Sequence, residues 1–213
     1  MICQCPAAAS LSAIPKYDCV ENFGQIQKIA FQRLKDSSGD PVTNFDPTTT
    51  LITLKASWTA AMALTTDGKI VVSPFIEAPT QEGGDARTFG GGNDTLGGIE
   101  YVIGSNPSVF NCVIRRCPQN VIKALKELQC EAGAGNLGVY LFSENGQIEA
   151  LGPNAGAGRT GIAPIPIRSF FVGDKVHGGF DEFDHNDVQF AFEPNYSDDL
   201  VVYTPTDFNP LDL

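Results

Sequence analysis

Apolar positions alternate with polar ones in several short runs of the chain, and in one run they recur at helical spacing. The first run, GQIQKIAFQRLKDSSGD (Gly24–Asp40), is open to two readings. Ile29 and Phe31 alternate with Lys28, Ala30 and Gln32 as in a strand, whereas Ile26, Ala30 and Leu34 would line a helix. The turn residues Asp36–Gly39 that follow favour the strand. Next, Asp67-Gly68 separates an Ala/Thr-rich segment from the β-branched run Ile70-Val71-Val72, which predicts a hairpin. CPQNVIKALKELQCEAGAG predicts the one helix: Pro118 suits its first turn, Gly133 its end, and Val121, Leu125 and Leu128 form a stripe. Lys123, Lys126 and Glu127 fall largely off that stripe, and Cys130 lies on its apolar side or edge. A second hairpin turns at Asn145-Gly146, and IPIRSFFVG, DVQFAFEP and DLVVYTP read as three further strands. Seven or eight strands with a single helix predict a mainly β fold, an antiparallel sandwich or barrel with one flanking α-helix.

Two segments stand outside this pattern. Residues 1–22, with Pro6, an Ala-Ser patch and Pro15, read as an N-terminal arm, leaving 23–213 as a single β-rich domain. Residues 78–98 show no periodicity and carry seven glycines, so they predict an extended loop. Loops of that length inside a compact domain are uncommon and usually functional. TLGGIEYV and VHGGFDEF share Gly-Gly-apolar-acid, a match short enough for chance to explain.

Composition narrows the partners. The 213 residues are 42% hydrophobic, enough for a sizeable core, while 22 glycines and 14 prolines suit strands and turns. The net charge of −11 is unevenly spread: residues 1–130 hold 12 acids and 11 bases, residues 131–213 hold 13 acids and 3 bases. Nucleic-acid recognition needs a basic patch, and anionic membranes repel such a surface, so neither partner is expected. No apolar run is long enough to span a bilayer, and no positive residue precedes the short apolar patch near the start. Reduced thiols follow as the expectation for the six cysteines.

The chemical motifs fail one by one. Gly133-Ala-Gly135-Asn-Leu-Gly138 fits G-x-G-x-x-G but follows a helix and enters a strand, the reverse of the order that binds a pyrophosphate. Gly156-Ala-Gly158-Arg-Thr-Gly161 runs into Pro164 and Pro166, which forbid the required helix. A P-loop needs Gly-Lys-Ser/Thr, whereas Gly97-Gly98-Ile99-Glu100 supplies an acid. Cys3-x-Cys5 with Cys19, and Cys112, Cys117 and Cys130, lack paired zinc spacing. Asp181, Asp184 and Asp187, near His177 and His185, suggest a calcium loop but lack its sixth-position glycine and twelfth-position glutamate. No catalytic residue, cofactor or metal ligand is therefore assigned, and the chain reads as a non-enzyme. A cysteine hydrolase using Cys112 or Cys117 with a distant histidine stays open, since Arg115 and Arg116 would lower a neighbouring thiol's pKa.

A β-rich chain with long glycine-rich segments and segregated charge suits self-assembly. Segments that cannot pack within their own domain can order against a neighbouring subunit, where glycines permit close backbone approach. On this reading Phe89 and Leu96 anchor the contact, the glycines between them, Gly90, Gly91 and Gly92, act as its hinges, and Gly97 and Gly98 complete the interface.

ENFGQIQKIAFQRL, ARTFGGGNDTLGGIE, ALKELQCE, PIPIRSFFVGDK and the ending VVYTPTDFNPL resemble virion proteins of tailed phages and prophages of gut Bacteroidales, over most of residues 21–213. Within that family the chain looks most like a major tail tube protein. The resemblance implies a β-sandwich or barrel with one flanking helix and long inter-subunit loops, stacked as hexameric rings in a virion tail assembled in the bacterial cytoplasm. Its partners would be copies of itself and other tail or head–tail proteins, with DNA only as non-adhering cargo. A head–tail connector, tail terminator or capsid decoration protein is the alternative. A conducting tube should repel phosphate, so Glu144, Glu149, Asp181, Glu182, Asp184 and Asp187 are the candidate lumen-facing acids. Negative charge kept on the exterior for solubility would fit the same composition.

Overall fold

The computed structural model describes residues 22–154 and 158–213. The expected N-terminal arm at 1–22 therefore lies, but for Asn22, outside the described residues. The fold is mainly β, with antiparallel pairing throughout and two α-helices.

Strands β1 (Ile26–Arg33) and β7 (Leu137–Ser143) form the spine, pairing along nearly their whole length. The other edge of β7 is shared. Leu137–Val139 pair with β9 (Ile165–Val172), and Leu141–Phe142 pair with β8 (Ile148–Leu151), whose far edge takes β11 (Leu200–Tyr203). From β9 the sheet runs through β10 (His185–Phe192) and β6 (Val109–Arg115) to β3 (Glu77–Glu82). The far edge of β1 pairs with β2 (Val71–Val72), after which the Ser73 and Ile76 amides donate to the Ile29 and Gln27 carbonyls at 2.8 and 2.9 Å. The same stretch then enters β3, so the sheet curls round until its two ends meet at β1. Among the described residues β11, which pairs only with β8, keeps an outer edge that no further strand pairs.

Alternation explains the interior. Phe110, Cys112 and Ile114 of β6 and Val188, Phe190 and Phe192 of β10 point inward, with Phe110 stacked on Phe190 at 4.8 Å. In β9 a bulge at Ser169, where φ is 54°, restores inward facing for Phe170 and Val172 after Ile165 and Ile167. Helix α2 (Gln119–Gly133) adds Ile122, Leu125 and Ala132 to this core. Its expected stripe is rotated slightly: Leu125 is buried, but Val121 and Leu128 are only half-buried and Ile122 is the deepest residue. Pro118 sits at the N-cap rather than inside the first turn, and Cys130 is exposed rather than apolar-facing.

Every residue of β7 is buried, because its second face carries another core. Helix α1 (Lys55–Ala63) lays Trp58 and Ala61 against the outer faces of β1, β7 and β8. This corrects the expectation of a strand before Asp67-Gly68. The turn is present, with Lys69 N–H donating to Thr66 O at 3.0 Å, but it joins a helix to β2. The Trp58 ring lies 4.7 Å from Phe45 and 5.3 Å from both Tyr140 and Phe142, and its Nε1 donates to Ile52 O at 2.7 Å. Phe208, Leu211 and Leu213 close the cluster from outside. Lys28 Nζ holds that segment, donating to the Leu211 and Leu213 carbonyls at 2.7 and 2.9 Å, and burial lowers its pKa.

Candidate subunit-contact surface

Beyond β3 and β6 the ladder continues as a separate hairpin. Strand β4 (Ala86–Gly90) pairs with β5 (Glu100–Ser105), and this two-stranded sheet is not joined to the main one. The expected loop at 78–98 is thus corrected to the end of one ladder, a glycine joint and half of a projecting arm. Period-2 patterning arises when one face is buried. Every residue of β5 and all but Gly90 in β4 is exposed, so the arm carries no alternation to read. At its root Gly84 lies so near the Asn106 carbonyl that a Cβ there would meet the oxygen at 2.3 Å, and Asn106 N–H donates to Asp85 O at 2.8 Å.

The tip explains the glycines. Gly90, Gly91, Gly92, Gly97 and Gly98 all hold positive φ, a region that side chains with a Cβ rarely adopt. Thr95 Oγ1 accepts from Gly91 N–H at 3.1 Å and donates to Ile99 O at 2.7 Å, pinning the turn. A Cβ on Gly90 would meet Thr95 Cγ2 at 2.2 Å. These glycines are built into a defined turn.

The arm is strongly apolar. Phe89 is 60% exposed and Leu96 95%, and Ile99, Tyr101, Val102 and Ile103 are exposed beside them. Phe89 and Tyr101 are cross-strand partners, while Val102 pairs with Thr88 on the opposite face. At ~150–250 Å² for each fully exposed large side chain, these six present roughly 700 Å². A two-stranded hairpin is marginal in water by itself.

The candidate lumen acids fall into two groups. Leu137, Ile167 and Phe192 share one level across β7, β9 and β10, from which β7 runs one way and the start of β10 lies the other. Glu144 and Glu149 therefore sit at the opposite end of the sheet from Asp181, Glu182, Asp184 and Asp187. Glu144 accepts from Gln25 N–H at 3.3 Å, and Glu149 is half-buried on β8. Asp181 and Glu182 are exposed in the β9–β10 loop. Asp184 fastens that loop: its carboxylate accepts from Gly178 N–H at 3.1 Å and lies 3.3 Å from His177 Nδ1, which holds its pKa below the usual carboxylate range. Asp187 alone stands on an outward strand face, paired in register with Val113.

The remaining sequence candidates are quickly placed. Burial pushes the Cys112 thiol up to about 12 and raises that of Cys117, the reverse of an activated nucleophile. Among the described residues no three His, Cys, Asp or Glu side chains are placed to hold a metal ion, and no helix is long and apolar enough to cross a membrane. The chain matches no protein-family model, and no curated protein matches it.

Proposed function

We propose that the chain is a self-assembling structural protein of a virion, and within that class a subunit of a phage tail tube. The observation that carries this reading is the β4–β5 arm, whose two faces together expose roughly 700 Å² of large apolar residues, against ~800 Å² of total surface that one partner contributes to a stable interface. A closed β body with a projecting arm can contact the next copy head to tail, and such contacts form rings when the rotation closes. The resemblance to phage virion proteins points the same way. The net charge of −11 suits a conduit for DNA that must not adhere to it. In this role the protein needs no cofactor or metal, and its partners are its own copies and neighbouring tail proteins. Electron microscopy of the purified chain tests the reading. Stacked rings or tubes support it. Closed single rings or capsid-bound knobs move the protein elsewhere in the virion, and a stable monomer removes it from this class.

A further inference from the structure

We infer that the arm of one copy docks on the outer face of β6, β9 and β10 of a second copy. This rests on the self-assembly reading and names its receiving surface.

The outer face of β1, β7 and β8 is covered by α1 and the segment ending at Leu213, whereas among the described residues the outer face of β3, β6, β10 and β9 carries no second core. Pairing register places Thr80, Asn111, Gln189 and Phe171 side by side in one row across four strands. Ala78 and Val113 join them in lining a depression of about 420 Å³. Its floor is rigid, since the inward residues of the same strands are packed phenylalanines. Phe171 is 57% exposed, a surface it shares with the arm's own anchors. The depression has room for the Phe89 or Leu96 side chain.

The polar members of the row are uncharged, and uncharged groups cost less to desolvate than ions; the one carboxylate lining the depression, Asp187 beside Val113, is largely exposed. Asn and Gln supply both donors and acceptors. The arm offers them suitable partners, because the outer edges of β4 and β5 carry backbone N–H and C=O groups that no strand among the described residues pairs. The arm does not cover this face in its own chain, where its side chains stand in solvent. A knob on one surface entering a hole on another surface of an identical copy is a head-to-tail contact.

Sedimentation of two variants tests the proposal. Phe89→Asp disables the arm and Phe171→Asp the face; both residues are more than half exposed, so Trp58 fluorescence should report an unchanged fold. Each variant alone should need about thirtyfold or more higher concentration to associate, as loss of a central anchor does. An equal mixture should form dimers and stop, because one intact arm meets one intact face and no further pair remains. Unchanged association of Phe171→Asp, or a mixture that stays monomeric, overturns the inference. Rings from Phe171→Asp would leave the tail tube reading standing without it. Wild-type association through this contact into pairs or irregular fibres would do the opposite.

Discussion

Trp58→Ala is the sharpest test of the second core. The indole is fully buried among Phe45, Tyr140 and Phe142, and it donates to the Ile52 carbonyl. Truncating a buried aromatic to alanine costs about 3–5 kcal/mol through lost transfer energy and the cavity left behind. The orphaned Ile52 carbonyl adds ~1–3 kcal/mol unless water reaches it. A loss of about 4–8 kcal/mol is expected, a large part of the ~5–15 kcal/mol that holds a domain. Trp58→Phe should cost less, since it keeps much of the packing and loses mainly the hydrogen bond. Urea unfolding followed by far-ultraviolet circular dichroism measures both, in the Phe89→Asp background so that association does not distort a two-state analysis. A cost below about 1.5 kcal/mol for Trp58→Ala would mean that α1 does not pack on β1 and β7, and the helical assignment of 55–63 would fall with it.

Three further expectations concern other parts of the molecule. Gly90→Ala should collapse the arm tip, because of its left-handed φ of 95° and the Thr95 contact, and reduce association while leaving the unfolding midpoint of the body nearly unchanged; equal association would show that the tip geometry is dispensable. Cys112 should resist alkylation in the folded protein at mildly alkaline pH and react once urea unfolds it, whereas Cys130 should react at once; peptide mass mapping would expose a Cys112 that labels early. Asp199 has its pKa lowered by hydrogen bonds from Asn154 and from Arg159, so its contribution is present above the unfolded carboxylate value of ~3.9 and lost as pH falls through the folded one. Asp199→Asn should therefore flatten the acid limb of the stability curve, and an unchanged limb would deny the clamp its role.

Strands with one face buried could be read in advance. The body strands β9 and β10 alternate visibly, and Asn145-Gly146 marked its hairpin because its turn chemistry is local, whereas β6 alternates in the structure but no strand was expected at Val109–Arg115. Helix α1 was hidden because its Ala/Thr-rich run has little helical amphipathicity and is held by tertiary burial of Trp58 and Ala61. The arm was hidden for the opposite reason: with both faces in solvent, nothing imposes a period on it. Its glycines drew attention to the same segment that the structure shows as a projecting, apolar arm. The acids were not separable from sequence, since facing depends on register, and only pairing with Val113 puts Asp187 on an outward face while Asp184 turns to its own loop.

The central claim is that the β4–β5 arm is the assembly device. Amide hydrogen exchange of the purified chain, measured dissociated and assembled, tests it most directly. Arm amides in Ala86–Ser105 that are unpaired or marginal in the free subunit should gain about a hundredfold or more in protection on assembly, while those of β7 and β10 stay as they were. Equal protection of the arm in both forms, with association intact, would contradict the account.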